Sequence, residues 1–270
     1  MSRTSRMLWT ALCVGGCCLL GGMANARELR VCADPNNLPF SNAAGEGFEN
    51  RIVQIIAADL KATVSYVWWA QRRGNIRNTL GTGQCDVIPG VSQMEALATT
   101  HPYYRSGYVF VTPSDRALDI NDFDDARLRQ LTIGVQMIGD DFSNTPPAHA
   151  LARRGIVQNV RGYMLYGDYS QDSPARAIVD DVANGRIDVA VVWGPVAGYF
   201  AQRQSHSMRL KVVHPLVDAA LPMAFAISMG VRKEDRALLA ELDAALLRNQ
   251  AAIAHVLSDF GVPLVDAPGD

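Results

Sequence analysis

Hydrophobic positions along this chain fall into two alternating periods. Leu29 to Cys32 is a short apolar run closed by Asp34-Pro35-Asn36-Asn37, and behind it Phe48, Ile52, Ile55, Ile56 and Leu60 recur at helical spacing. The pattern predicts a buried strand, a polar loop and a helix with one apolar face. Thr63 to Trp69, rich in β-branched and aromatic residues, predicts a second strand. Gln71 to Leu80 reads as a short helix closing on Gly81 and Gly83, and Cys85 to Ile88 as a third strand entering a Pro89-Gly90 loop. Right-handed crossovers in such a βαβαβ order place the loops after the strands on one sheet edge, where ligands bind.

Tyr103 to Thr112 predicts a further, half-buried strand. The acidic run Asp119 to Asp125 lacks the glycine of a calcium loop and carries Phe123 at a ligand position, so it reads as a solvated turn with helix caps. From Leu131 the pattern restarts: strands over 131–136, 160–166 and 187–192, with helices over 147–155 and 174–185, form a second set expected to be its own sheet. Leu210 to Val213 leads back out, Ala224 to Val231 is a strand, and one long helical tail is expected from Lys233 to Phe260, with Leu238, Leu239, Leu242, Leu246, Ile253, Val256 and Leu257 on its apolar face. The expected fold is therefore α/β, with two doubly wound lobes. Residues 27–112 and 214–270 make the first lobe and 113–213 the second. Crossings near Thr112–Pro113 and His214–Pro215 are expected to act as hinges.

Composition changes the picture at the N-terminus. Arg3 and Arg6, an apolar stretch from Met7 to about Gly22 and then Ala24-Asn25-Ala26 have the three parts of a secretory signal peptide, predicting cleavage after Ala26 and a periplasmic mature protein. Val14-Gly-Gly-Cys17 also resembles a lipoprotein site, but it would leave a very short apolar region before the cysteine. Loss of the leader takes two bases and no acid from a chain of formal charge −2, leaving about −4, which argues against nucleic acid or an anionic membrane as partner. Cys32 and Cys85 then remain, in an oxidising compartment where an even count reads as a disulfide, two buried thiols being the other reading.

The residues also carry a family signature. Ala33-Asp34-Pro-Asn-Asn-Leu-Pro39-Phe40 followed by Gly47-Phe48-Glu49 resembles the family 3 periplasmic solute-binding proteins, and Gly83-x-Cys-Asp86-Val-Ile, Pro102-Tyr103-Tyr104-x-Ser106-Gly107, Gly134-Val-Gln136 and Gly185-Arg-Ile-Asp188-Val-Ala continue it. The resemblance spans essentially the whole chain after the leader and implies the type II periplasmic-binding-protein fold. Within that family, Arg30 to Asn42, Gly45 to Asn50, Trp69-x-Gln-Arg-Arg-Gly74, Ile76 to Leu80 and Tyr103 to Val111 are most similar to the J-type accessory proteins of pyrroloquinoline-quinone (PQQ) alcohol dehydrogenases such as methanol dehydrogenase. This implies such a dehydrogenase as partner, with its cytochrome c as a further one, and a chain monomeric on its own.

Amino-acid receptors of the family pair the ligand carboxylate with an Arg after the third strand and the ammonium with an Asp after a late strand of the second lobe. Here those loops read Gly90-Val-Ser-Gln-Met-Glu-Ala96 and Trp193-Gly194-Pro195, with neither group. A standard amino acid would enter without counter-charges, a cost of several kcal/mol. The alternative reading is an ABC-transporter receptor for some other small solute. The residues expected at the cleft are Asp34, Asn36, Asn37, Phe40, Trp69, Arg72, Arg73, Gly90, Tyr103, Gln136, Met137, Asp172, Trp193 and Gly194. No catalytic residue, metal or cofactor is expected: the five histidines lack ligand spacing, and Glu95 or Asp172 are the acids a dehydratase of this fold would need in its cleft.

Overall fold

The computed structural model describes residues 27–138, 144–165 and 169–266. The signal peptide and its cleavage after Ala26 lie outside the described residues, as does Tyr166 at the end of one expected strand.

The chain opens with β1 (Arg27–Ala33), α1 (Phe48–Asp59) and β2 (Ala62–Trp68), β1 and β2 pairing in parallel from Arg27↔Ala62 to Ala33↔Trp68. Phe48, Ile52 and Ile56 are buried on α1 as the spacing predicts, joined by Val53 and Ala57, while Ile55 and Leu60 are half-buried. The helix starts at Gly47, whose N–H donates to the Asn50 side chain at 3.1 Å. A Cβ on Gly47 would stand 2.0 Å from the Phe40 carbonyl oxygen, so the start of α1 can approach the loop only through a glycine. One helical turn, Asn75–Asn78, and a 3₁₀ turn, Leu80–Thr82, replace the longer helix expected over 71–80.

Cys85 to Val87 runs beside β1, with a Val31↔Val87 parallel bridge and the Cys32 N–H donating to the Val87 carbonyl at 2.9 Å. This neighbourhood brings the two cysteines together as a disulfide with Cα atoms 5.6 Å apart. The regular ladder begins later than expected, in β3 (Ile88–Val91).

β4 (Tyr104–Pro113), β5 (Ile133–Met137), α2 (Pro146–Arg153), β6 (Val160–Met164), α3 (Ala177–Ala183) and β7 (Val189–Trp193) follow. α4 (Gly194–Ala201), β8 (Met208–Val212), β9 (Ala224–Val231), α5 (Arg236–Arg248) and α6 (Gln250–Asp259) complete the order. β6, β5 and β7 are mutually parallel, β7 is antiparallel to β4, and β4 is antiparallel to β9, which pairs β3. The sheet is thus continuous through β4 and β9, where a separate second sheet was expected.

Gly107 pairs with Ala224, while Tyr108 pairs with Trp193 across the other edge, so β4 changes partners between Gly107 and Tyr108, ahead of Thr112–Pro113. His214–Pro215 leads only into a small hairpin, Val217–Asp218 with Leu221–Pro222, whose Asp218 is ion-paired at 2.7 Å to Arg154 after α2. β9 begins after this hairpin, at the Met223–Ala224 step. One of the buried clusters, from Tyr108 and Phe110 through Ile133, Val189 and Val191 to Val213 and Met223, lies wholly between these two points.

Two helical expectations need correction. α4 begins in Gly194-Pro195, within what was expected to be the loop after the strand ending at Val192. Proline is compatible with the first turn, where its missing N–H has no intrahelical partner to lose, and the segment is buried on nearly every side. The tail is two helices, broken at Asn249, whose side chain donates back to the Ala245 carbonyl at 2.8 Å. α4 and the end of α6 meet at Tyr199 and Phe260, stacked 5.4 Å apart, and a Cβ on Gly198 would lie 1.8 Å from the Gly261 carbonyl oxygen. In the acidic run, Asp125 accepts from the Arg127 N–H at the start of a 3₁₀ turn, as a cap. No helix among the described residues is long and apolar enough to cross a membrane.

Candidate functional site

The carboxyl ends of β1, β3, β5 and β7 and the partner-switching part of β4 converge on a cleft of about 860 Å³. Loops leave the strands there because the crossovers run on the sheet faces, which frees backbone groups at this edge.

Asp34 closes β1 and is 3% exposed. Its carboxylate accepts from the N–H groups of Asn36 (2.9 Å) and Gln71 (2.7 Å) and from the Tyr169 hydroxyl. The last bond comes from the opposite lobe. Asn36 adds two more, donating to the Gln171 carbonyl at 2.8 Å and accepting from the Ser173 N–H at 3.1 Å, and Arg72 lies 4.7 Å over the Tyr169 ring. Together these groups latch the 169–173 segment onto the loop after β1. Asn37 donates to the Gln71 side chain at 3.0 Å and so ties the two loops of its own lobe.

Gln136, 3% exposed, accepts the Trp193 N–H at 2.9 Å and so joins the ends of β5 and β7. Trp193 meets Tyr108 at 5.4 Å and Phe225 at 5.8 Å, both edge-on, which builds the aromatic wall at the lobe junction. Phe40 packs on Phe48 at 5.4 Å on the first-lobe side.

Of the residues expected from the sequence, Asp34, Asn36, Asn37, Phe40, Arg72, Arg73, Gly90, Gln136 and Trp193 line the cleft. Five do not. Trp69, just after β2, is 42% exposed and outside the lining. Tyr103 stands behind the wall, its hydroxyl accepting the Gly90 N–H at 3.2 Å. Met137 packs against the second-lobe core and Gly162. Gly194 is buried where α4 meets Gly107 and Ser106, and Asp172 is exposed on the latch segment. Strand alternation and loop direction decide these cases, and neither can be read from residue type.

The lining also contains groups outside the expected cleft set: Glu49, Gln71, Tyr104, Tyr108, Tyr169 and Phe225. Glu49 is the one with chemical weight. It is 4% exposed in the first turn of α1, while Glu95 and Asp172, the acids considered from the sequence, are exposed. Burial first, and then the negative charge of Asp34, push its carboxyl from an ordinary 4.5 up to about 8. A signal existed: Glu49 interrupts the apolar positions that open α1, one residue after the buried Phe48. Burial, the adjacent Tyr103 phenol and Glu49 likewise hold the Tyr104 phenol well above its usual range. Among the described residues no group of three or more His, Cys, Asp or Glu is placed to hold a metal ion.

The model for bacterial extracellular solute-binding proteins, family 3, matches residues 29–254. Protein MoxJ of Methylorubrum extorquens is 34% identical over 255 residues, covering 89% of this chain and 83% of that protein. Among solved structures, the periplasmic binding protein XoxJ from Methylobacterium extorquens AM1 superposes with a TM-score of 0.73 at 34% identity, covering 88% of this chain and 100% of the other. MxaJ from Methlophaga aminisulfidivorans MPT gives 0.74 at 27% identity with the same coverage. With its disulfide, its continuous sheet and its interlobe cleft in place, the chain belongs to the bacterial extracellular solute-binding proteins of family 3.

Proposed function

We propose that this protein is an exported, non-catalytic periplasmic binding protein that serves as an accessory or maturation factor of a PQQ-dependent methanol or alcohol dehydrogenase. The observation that carries this reading is the match to MoxJ along 89% of the chain, and the segments that resemble the J-type accessory proteins support it. The cleft supports it: the loops that would clamp an amino acid, Gly90 to Ala96 and Trp193-Gly194-Pro195, carry no Arg and no second-lobe acid. Export by cleavage after Ala26 belongs to the same reading, as do the lobe limits, which follow the partner change in β4 and the Met223–Ala224 step before β9. No cofactor is assigned to the chain, and cytochrome c enters as a second partner only through the dehydrogenase.

The test is a calorimetric titration of residues 27–270 against the PQQ dehydrogenase of the same cell, at low and physiological salt. Saturable binding is expected, weakened by Trp69→Ala, which removes an exposed aromatic surface without touching the core. Absence of saturable heat at both salt concentrations would overturn the accessory reading and return the protein to the receptor class.

A further inference from the structure

The latch, the aromatic wall and the missing amino-acid clamp leave one cleft group without a role. Glu49 lines the cleft yet is 4% exposed, and among the described residues no hydrogen bond or ion pair holds its carboxyl. Its neighbour across the floor is Gly90, in the left-handed region at φ +71, where a Cβ would lie 2.0 Å from Glu49 Oε1. Only glycine lets the carboxyl occupy that place. A carboxylate taken out of water and left unpaired is costly, so a buried acid facing a cavity either keeps its proton or has a cation brought to it.

The surroundings favour a cation. Phe40, Tyr104, Tyr108, Trp193 and Phe225 present aromatic surface, which attracts positive charge through the ring faces. The guanidiniums that line the cleft, Arg72, Arg73 and Arg77, are exposed at its rim, where solvent screens them, whereas Glu49 sits in the dry floor. An anion would meet the carboxyl at the floor; a cation would neutralise it. About 860 Å³ is room for a ring-sized body and far more than a bare metal ion or methylammonium would fill.

We propose that the cleft is a binding site for a small organic cation, an ammonium group carried on an apolar or aromatic body, with Glu49 as its counter-ion. The idea stands apart from the dehydrogenase reading, because it concerns the protein alone. Proton balance follows from the chemistry: Glu49 in its acid form gives its proton to the buffer as the ammonium, which keeps its own, takes its place. The other titratable groups facing this point are Asp34 from the loop after β1, Tyr66 from β2, Tyr103 and Tyr104 from β4 and its approach, Tyr169 from the second lobe, and the three rim arginines.

The experiment is calorimetry at pH 7 with benzylammonium, in two buffers of different ionisation heat, beside benzyl alcohol, benzoate and 4-(aminomethyl)benzoate. Saturable benzylammonium binding with release of close to one proton is expected, and benzyl alcohol and benzoate should bind at least about tenfold more weakly. Glu49→Gln should lose the preference for the cation and the proton release together, while Glu49→Asp, which keeps the charge, should retain both; circular dichroism establishes that each variant is folded. No saturable heat with benzylammonium overturns the proposal. So does equal binding of the alcohol or benzoate, an unaffected Glu49→Gln, or binding that appears only with 4-(aminomethyl)benzoate, which would move recognition to the rim guanidiniums.

Discussion

Replacing Glu49 by Gln should change the way stability depends on pH, because this carboxyl is the most displaced acid of the cleft. Its ionisation is pushed from 4.5 up to about 8, by burial and by the neighbouring charge of Asp34. Between those values the folded protein keeps a proton that the unfolded chain gives up. Folding is therefore favoured most below about 4.5, and this contribution is lost as pH rises to about 8. At about 1.4 kcal/mol per pH unit the full interval amounts to on the order of 5 kcal/mol, and entry of water on ionisation reduces it. Gln keeps the shape and removes the titration. The assay is urea unfolding followed by tryptophan fluorescence from pH 4.5 to 8.5 at constant ionic strength, for both proteins. The stability of the wild type relative to Glu49→Gln should fall steadily across the range, by several kcal/mol in total; the histidines cancel because both proteins have them. Parallel profiles, or a wild type that gains on the variant as pH rises, would refute the assignment of a buried, protonated carboxyl.

Asn36→Ala removes two bonds that cross the cleft, to Gln171 and Ser173, and should favour the open form by about 1–3 kcal/mol, seen as a larger radius of gyration in solution scattering; an unchanged radius would mean the other latch contacts suffice. Gly198→Ala should destabilise the protein by about 1–3 kcal/mol, although the same change in an open helix gains about 1, because the new methyl meets the Gly261 carbonyl; the urea midpoint reads the sign. Replacing Cys32 and Cys85 by Ser removes a cross-link with a sequence separation of 53 and should lower stability by about 4 kcal/mol on the chain-entropy model, measured as a drop in unfolding midpoint.

Much of this architecture was legible in residue order. Periodicity alone identified β1, the buried face of α1, β4, β7 and β9, because each element must present apolar side chains at its own repeat to reach a core. The cysteine count and the short apolar leader made the Cys32–Cys85 bridge readable, and the Asp34 and Gly47-Phe48-Glu49 segments carried the family. The loop after β1 was recognisable as a ligand edge for a topological reason, and Asp34, Asn36, Asn37 and Phe40 all line the cleft.

Local sequence left other features open. Gly194-Pro195 has the chemistry of a breaker, and only the surrounding burial makes it the first turn of α4. β4 pairs with β9 along its first half and with β7 along its second, and the residue where a strand exchanges partners carries no mark of its own, since backbone pairing is available to any residue except proline. The role of Glu49 was hidden for the same kind of reason: an acid in the first turn of a helix is usually a solvated cap, and the removal of its water depends on Gly90, Tyr103 and Tyr104, which arrive from distant parts of the chain. The sequence by itself determined most of the strands, the apolar face of α1, the bridge and the loops that border the cleft, because those follow from local periodicity and composition. Tertiary structure alone decided which side chains face the cleft, where the lobes join and which carboxyl is dry, because burial and electrostatic environment are set by contacts between residues far apart in the chain.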